Sequence, residues 1–454
     1  MNENTMKKLY YSLLSLLWTG AFFSMIYIQY YKLYVASAFI LCLVYAIGLL
    51  LQGKKEKKNL PKGDLSPRQK YLRLFFLLTF FLLLLLVFPD RSLFLFYFII
   101  LFRNLFYPLY KKIFSAPLHI LKKIGICLST LPILLLIIGI CFYFRKPLLL
   151  SIFPQLKGEN IENIESHRKI IEKGVTLYSD VFYESTLPNS YMDIYVSPKT
   201  SPENPTIFIV HGGGYIGGDK ISGDPNGNSA NDGILQYYYS FLDNGYNVVA
   251  INYALAPEYS YPTPLIQLND SINYLKKHHK EYGITMDALV FSGSSAGGQI
   301  VGQFLNMQLN DDYRQKIGME KVLEKDTIKG VIFNSAILSG SLKSSGSLIT
   351  DLIFNDMRRY YLYYFDDINA FEKRSLSIGL LENLGDSFIP TYIDDGAINS
   401  FANQARDLHE KLSDMGVYNE LYIVENAAHS FEFATDENAK KNLERQIAFV
   451  KKLK

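Results

Sequence analysis

Two glycine-rich turns, each directly after a short apolar run, constrain this chain more than any other feature. Thr206-Ile207-Phe208-Ile209-Val210 leads into His211-Gly212-Gly213-Gly214, and Ala288-Leu289-Val290-Phe291 leads into Gly293-Ser294-Ser295-Ala296-Gly297. A continuous apolar run of this length, bounded by glycine, reads as a buried strand. The second turn has the G-x-S-x-G form, which sets a serine on a sharp strand-to-helix turn, and the first has the form of the loop that accompanies it. Both turns work together only if two strand ends meet. A mostly parallel sheet achieves that, because its active residues gather at the carboxyl ends of its strands.

The rest of the chain beyond about residue 170 fits the same scheme. Strands are predicted at 175–184, 191–196, 247–253, 328–333, 391–393 and 420–424, with helices at 264–282, 297–309 and 437–453. Alternation of this kind gives an α/β fold with helices on both faces of the sheet. The stretch 338–386 breaks the alternation and holds the aromatic cluster Arg358-Arg359-Tyr360-Tyr361-Leu362-Tyr363-Tyr364-Phe365. It reads as a helical insertion packing on the sheet. The functional version of the same reading is a cap whose aromatics line an acyl or alcohol pocket.

The first third is different in kind. At 454 residues the chain is long enough for two units. Apolar runs of bilayer-spanning length, about 20 residues each, fall at 9–31, 33–52, 71–89, 92–110 and 124–144. The organisation implied is a multi-span all-α transmembrane region over 1–148, a linker over 149–173 and a globular α/β domain over 174–454. The first run is too long for a signal peptide, lacks a clear cleavage site and is followed at once by another span. Lys7 and Lys8, the Lys54–Lys70 loop, and the segment with Lys111, Lys112, Lys122 and Lys123 would be cytoplasmic by the distribution of basic residues, which puts the globular domain outside the cell. Arg145 and Lys146 beyond the last run oppose this orientation, as do Arg103 and Asn104 inside the fourth.

Composition excludes more than it selects. Lys plus Arg number 46 against 43 for Asp plus Glu, so no global charge points to nucleic acid. The cysteines, Cys42, Cys127 and Cys141, all lie in the apolar runs, leaving the globular part without a disulfide or a Cys/His metal cluster. No metal or organic cofactor is implied, the lipid bilayer is the partner expected for the apolar runs, and oligomeric state is left open.

A serine hydroxyl becomes a useful nucleophile only when a base takes its proton and a third group holds that base in the right tautomer. Ser295 occupies the nucleophile position. Among seven histidines, His119 falls in the apolar third, His167 in the linker, and His278, His279 and His409 in charged helical stretches. His211 reads as a structural part of its loop. His429 alone sits in a loop after the last predicted strand, in Ala427-Ala428-His429-Ser430-Phe431, and is the expected base. The amides of Gly213, Gly214 and Ala296 are the expected oxyanion donors, each worth on the order of 3–4 kcal/mol in a formed site.

Over roughly 185–452 the chain resembles the hormone-sensitive-lipase-like branch of the α/β-hydrolase esterases. The resemblance rests on His211-Gly212-Gly213-Gly214-Tyr215 with Gly218-Asp219-Lys220, on Tyr253-Ala254-Leu255-Ala256-Pro257-Glu258 with Pro262, on the Gly293–Gly298 turn, and on His429-Ser430-Phe431. It implies carboxylic-ester hydrolysis, with the segment from Tyr253 supporting the site from a neighbouring strand. Two departures stand out. The residue after the histidine is usually Gly and here is Ser430. The triad acid is usually an Asp a few residues past a Gly, and aligning Pro390-Thr391 and Gly396 with that pattern puts Asn399 there. Asp395, near the carboxyl end of the preceding strand, is the favoured substitute. Asp394, Asp386, Glu425 or no acid at all are the alternatives, and since strand neighbours face opposite ways at most one of Asp394 and Asp395 is expected to reach His429.

The expected protein is therefore a membrane-anchored serine esterase or lipase-like hydrolase with Ser295, His429 and Asp395 as its triad. A hydrolase fold kept as a binding or sensing module, motivated by Asn399, and an acyltransferase using the same acyl-enzyme are the rival expectations.

Overall fold

The computed structural model describes residues 157–220, 232–343, 345–362 and 368–453. These fall in the second of the two units into which the chain divides, Phe142–Lys454. The five expected spans lie outside the described residues. Among the described residues no helix is long and apolar enough to cross a membrane.

Nine strands form one sheet: β1 (His167–Ile170), β2 (Thr176–Phe182), β3 (Tyr191–Val196), β4 (Thr206–Val210), β5 (Val248–Ile251), β6 (Leu289–Ser294), β7 (Ile328–Asn334), β8 (Thr391–Ile398) and β9 (Asn419–Ala428). Their spatial order is β1-β2-β3-β5-β4-β6-β7-β8-β9. The first three strands and β5 pair antiparallel, and every pairing from β5 through β4 to β9 is parallel. Residues expected to be linker take part in this sheet. β1 pairs along β2, and Gly158 N donates to Ile216 O at 2.8 Å.

Alternation along β4 explains why Ile207-Phe208-Ile209-Val210 is a continuous apolar run. Phe208 and Val210 face a core completed by α2 (Thr263–Tyr282), α3 (Ala296–Leu309) and α8 (Ala402–Asp414). Ile207 and Ile209 face a second core made with α1 (Asp232–Leu242) and α9 (Glu437–Lys452). A strand covered on both faces has no use for polar residues, and each such side chain contributes roughly 1.5–3 kcal/mol on burial. Short α4 (Asp311–Ile317) follows α3, and α5 (Leu348–Leu362), α6 (Ile368–Ile378) and α7 (Leu380–Asn383) fill the interval expected to be an insertion. Within it, Tyr360, Tyr361 and Leu362 of the aromatic cluster are buried, and Arg358 bonds Gly340 O and Ser375 Oγ. Residues 363–367 lie outside the described residues.

The loop after β4 is fixed by a buried ion cluster. Lys220 Nζ lies 2.7 Å from Asp180 Oδ1 and 3.3 Å from Asp193 Oδ1, all three groups nearly sealed from solvent. Its backbone N–H donates to Asn252 Oδ1, whose amide in turn donates to Asp219. Burial pulls the Lys220 ammonium towards neutrality, but the carboxylates of Asp193, Asp219 and Asp180 outweigh it and the pKa is raised. Removing one partner of a buried pair strands the others, typically at about 3–5 kcal/mol. Lys220→Met is therefore expected to destabilise the domain by about that amount in a denaturant titration of the full chain, and a loss under about 1 kcal/mol would contradict the role given to the cluster.

Candidate active site

Ser295 sits between β6 and α3 with φ 51° and ψ −119°, a sparsely populated conformation for a residue with a side chain. Four backbone hydrogen bonds hold it there: Ser295 N to Asn334 O at 3.0 Å, Ile337 N and Gly298 N to Ser295 O, each at 3.1 Å, and Gln299 N to Ser295 O at 3.3 Å. The turn also requires glycine at position 297. A Cβ on Gly297 would lie 2.3 Å from the carbonyl oxygens of Val210 and His211, so a side chain there would push α3 off β4.

The His211–Gly214 loop passes directly over this turn, since a Cβ on Gly212 would lie 3.1 Å from Ser295 Cβ. Gly213 has φ 105° and its Cβ would collide with Gly217 O, so only glycine turns the chain here. Tyr253 braces the loop as the resemblance implies. Its hydroxyl donates to His211 O at 3.1 Å, and its ring stacks on the His211 imidazole at 4.3 Å. His211 Nδ1 is tied to Gly212 O, and burial lowers its pKa, in keeping with a structural role. Among the described residues the amides of Gly213, Gly214 and Ala296 donate to no backbone carbonyl.

His429 follows β9 and brings Nε2 to 3.0 Å from Ser295 Oγ. Ser430 next to it takes the left-handed conformation at φ 64°, which explains why glycine is the usual residue there, and its N–H donates to Ser335 Oγ. Burial pushes the His429 pKa down to about 4, so the resting imidazole is neutral. The other described histidines stand apart from Ser295. His167 lies on exposed edge strand β1, His278 pairs with Glu281, His279 bonds Ile284 O and His409 bonds Asn419.

The acid departs from expectation. Asp395 does face the site, but it does not bond His429. Ser400 Oγ lies 2.8 Å from His429 Nδ1 and donates to Asp395 Oδ1 at 2.5 Å. The Asp395 carboxylate also accepts from Gly396 N and Phe401 N, so the strand end and the loop after it wrap around this group. Asp394 points to the opposite face and accepts from Gln446 of α9, as alternation in a strand requires. Asn399, at the position where the acid was sought, is exposed and accepts from Ser347 Oγ at 3.1 Å, just ahead of α5. Glu425 pairs with exposed Arg406, and Asp386 is exposed in the loop before β8.

Four further residues escape sequence reasoning. Ser400 has no motif of its own and differs from the aligned acid position by one residue. Phe354 of α5 packs edge-on against His429 at 5.1 Å, as does Phe401 at 5.5 Å. Met357 lies so close to Gly214 that a Cβ there would meet its sulfur at 2.1 Å. The insertion thus covers the site, through residues ahead of the conspicuous aromatic cluster, while Tyr361 stacks on Tyr215 of the glycine loop at 4.2 Å.

The family model BD-FAE matches residues 192–336, from β3 past the Ser295 turn. Esterase B of Lactobacillus rhamnosis superposes with a TM-score of 0.50 at 18% identity, over 62% of this chain and 87% of that one. Its inhibited form gives 0.51, covering 63% and 89%. The domain has the α/β-hydrolase fold. Sequence relatives of this chain include the acetyl esterase of Salmonella paratyphi B, 26% identical over 117 residues, a match that takes in 25% of this chain and spans 33% of that enzyme's length. These relatives are esterases, in keeping with the resemblance to the hormone-sensitive-lipase-like branch.

Beside Ser295, His429 and Asp395 lies a third buried carboxyl. Glu432 accepts from Ser294 Oγ at 3.2 Å and from Ser335 Oγ at 2.8 Å. Burial raises its pKa, and the charge of Asp395 raises it further. Burial likewise raises Asp394 and takes Asp395 to about 6. An acid whose folded pKa lies above its unfolded one stabilises the fold at low pH and loses that contribution as pH rises through the folded value. Buried His429, lowered to about 4, works in the opposite sense below its unfolded pKa. Glu432→Gln isolates one contributor. The variant's melting temperature relative to wild type is expected to rise from pH 5 to about pH 7 and then level off as Glu432 passes its folded pKa of about 7, whereas a constant offset would show that Glu432 keeps an ordinary pKa.

Proposed function

We propose that this chain is a membrane-anchored serine esterase, cleaving carboxylic esters through Ser295 and His429 with Gly213, Gly214 and Ala296 as oxyanion donors. The observation that carries the reading is the 3.0 Å approach of a neutral, buried imidazole to a serine on a strained strand-to-helix turn. Ser295 Oγ attacks the ester carbonyl while His429 Nε2 takes its proton. The negative charge developing on the carbonyl oxygen falls to the amides of the glycine loop and of the first residue of α3. His429 then returns the proton to the departing alkoxide, and water repeats the cycle on the acyl-enzyme. Asp395 supplies the negative charge behind the imidazolium.

Phe354 and Met357 border the reacting atoms, so the cap limits the size of the acyl or alcohol group. Membrane attachment and an outward-facing domain are part of the same proposal and are supported by the apolar runs and the basic segments between them. A substrate at the cell envelope, an acyl or acetyl ester of lipid or glycan, is the one such a location would offer. Protection of the domain from protease added outside intact cells would overturn the orientation.

The rival reading, a hydrolase fold serving as a binding module, draws on the absence of direct contact between a carboxylate and His429. Full-length protein in detergent assayed on p-nitrophenyl acetate through decanoate separates the two. Turnover is expected, Ser295→Ala is expected to fall to the uncatalysed background, and Phe354→Ala is expected to shift preference towards longer acyl chains. A folded wild-type protein without turnover would favour the binding module.

A further inference from the structure

Ser400 is nearly sealed from solvent, at 4% exposure, and its hydroxyl has a group on each side that wants a proton placed correctly. One is Asp395 Oδ1 at 2.5 Å, the other His429 Nδ1 at 2.8 Å. A hydroxyl has one proton to donate and lone pairs to accept. The ionised carboxylate of Asp395 can only accept, and its two oxygens already take the N–H groups of Gly396 and Phe401. The Ser400 proton is therefore committed to Asp395, and the lone pair left facing His429 can only receive Nδ1–H.

We propose that Ser400 is a positioning residue that transmits the charge state of Asp395 to His429, fixing the imidazole tautomer that leaves Nε2 free to take the Ser295 proton. The inference deepens the esterase reading and rests on it for its catalytic consequence. No covalent step is added. As His429 becomes an imidazolium, Nδ1–H stays on nitrogen and the Ser400 proton stays on oxygen, while both hydrogen bonds shorten towards the carboxylate. Asn399, at the usual acid position, is accordingly released to hold Ser347 ahead of the cap helix.

The chain of bonds can also run backwards. A protonated Asp395 would donate to Ser400, Ser400 would donate to Nδ1, and the imidazole proton would move to Nε2, where it blocks the base. The titratable groups nearest Asp395 are His429, Asp394 on the opposite face of its own strand and Glu432 on the turn after His429, and the charge of Asp395 raises the pKa of both acids, which stay protonated as Asp395 ionises. The reversal is placed near pH 6 by Asp395, well above the value of about 4 to which burial takes His429.

The test uses the full-length protein with Ser400→Ala, Ser400→Thr, Asp395→Asn and the double variant Asp395→Asn/Ser400→Ala. Ser400→Ala is expected to lower kcat by about 10²-fold with KM little changed. It should also move the acid limb of kcat/KM down from near 6 towards 4, the values that belong to Asp395 and His429 respectively. Ser400→Thr, which keeps the hydroxyl, should restore both. The double variant should be no slower than Asp395→Asn alone, since residues acting in series do not lose twice. Independent, multiplying losses or an unmoved acid limb would overturn the proposal.

A second readout does not need turnover. In histidine-selective ¹⁵N spectra His429 should be protonated at Nδ1 at pH 8 and at Nε2 near pH 5, and Ser400→Ala should abolish that exchange. If wild type shows the exchange but hydrolyses no ester, the esterase reading fails and the relay stands. Nε2–H at pH 8 overturns the relay whatever the activity.

Discussion

The active edge of this sheet depends on the contact between the Ser295 turn and the end of β4. Gly297 lies against the carbonyl oxygens of Val210 and His211 with no room for a side chain, so β6, α3 and the glycine loop are locked in one register. That register sets Ser295 under the loop and makes it adopt a backbone conformation costing roughly 1–3 kcal/mol. The cost is borne by the two apolar cores on either side of β4. Lys220 and its carboxylates hold the far end of the same loop, and Tyr253 holds its middle.

Charge is handled differently on the two sides of the site. Around Lys220 buried carboxylates meet a cation. Around His429 they meet hydroxyls and amides instead, from Ser294, Ser335, Ser400 and the backbone of Gly396 and Phe401. Burial raises the pKa values of these acids, and the hydrogen bonds only partly offset it; Asp193, although beside Lys220, is also raised by burial to about 6. A histidine in such surroundings stays neutral at rest and acquires its charge only while the reaction proceeds.

The parallel centre of the fold is legible in the sequence because its signals are local. β4 and the first half of β6 hold continuous apolar runs that lead into glycine-rich turns, and β3, β4 and the core of β7 match their predicted bounds closely. Nothing local marks β1, whose four residues His-Arg-Lys-Ile are all exposed and read as linker. α1 and α4 are also unpredicted, and α8, which buries a regular stripe of Ala405, Leu408 and Leu412, is anticipated only as the helical stretch around His409. Ser295 and His429 are legible for the same reason as the strands, since each comes after a strand within a recognisable motif. The acid is not. Which side chain meets Nδ1 depends on how the chain turns after β8, where Asn399 at φ 50° faces outward and Ser400 inward, a choice that alignment by spacing cannot see. Phe354 and Met357 are hidden likewise, because their meaning comes from α5 lying over the glycine loop.

The central claim is that Ser295 is an activated nucleophile, and the most direct measurement is covalent capture of its hydroxyl. Full-length protein in detergent would be treated with a fluorophosphonate and the modified peptide mapped by mass spectrometry. The account predicts a single adduct on Ser295, formed far more slowly in His429→Ala protein. An unmodified Ser295 in a folded wild-type protein, or labelling indifferent to His429, would contradict it.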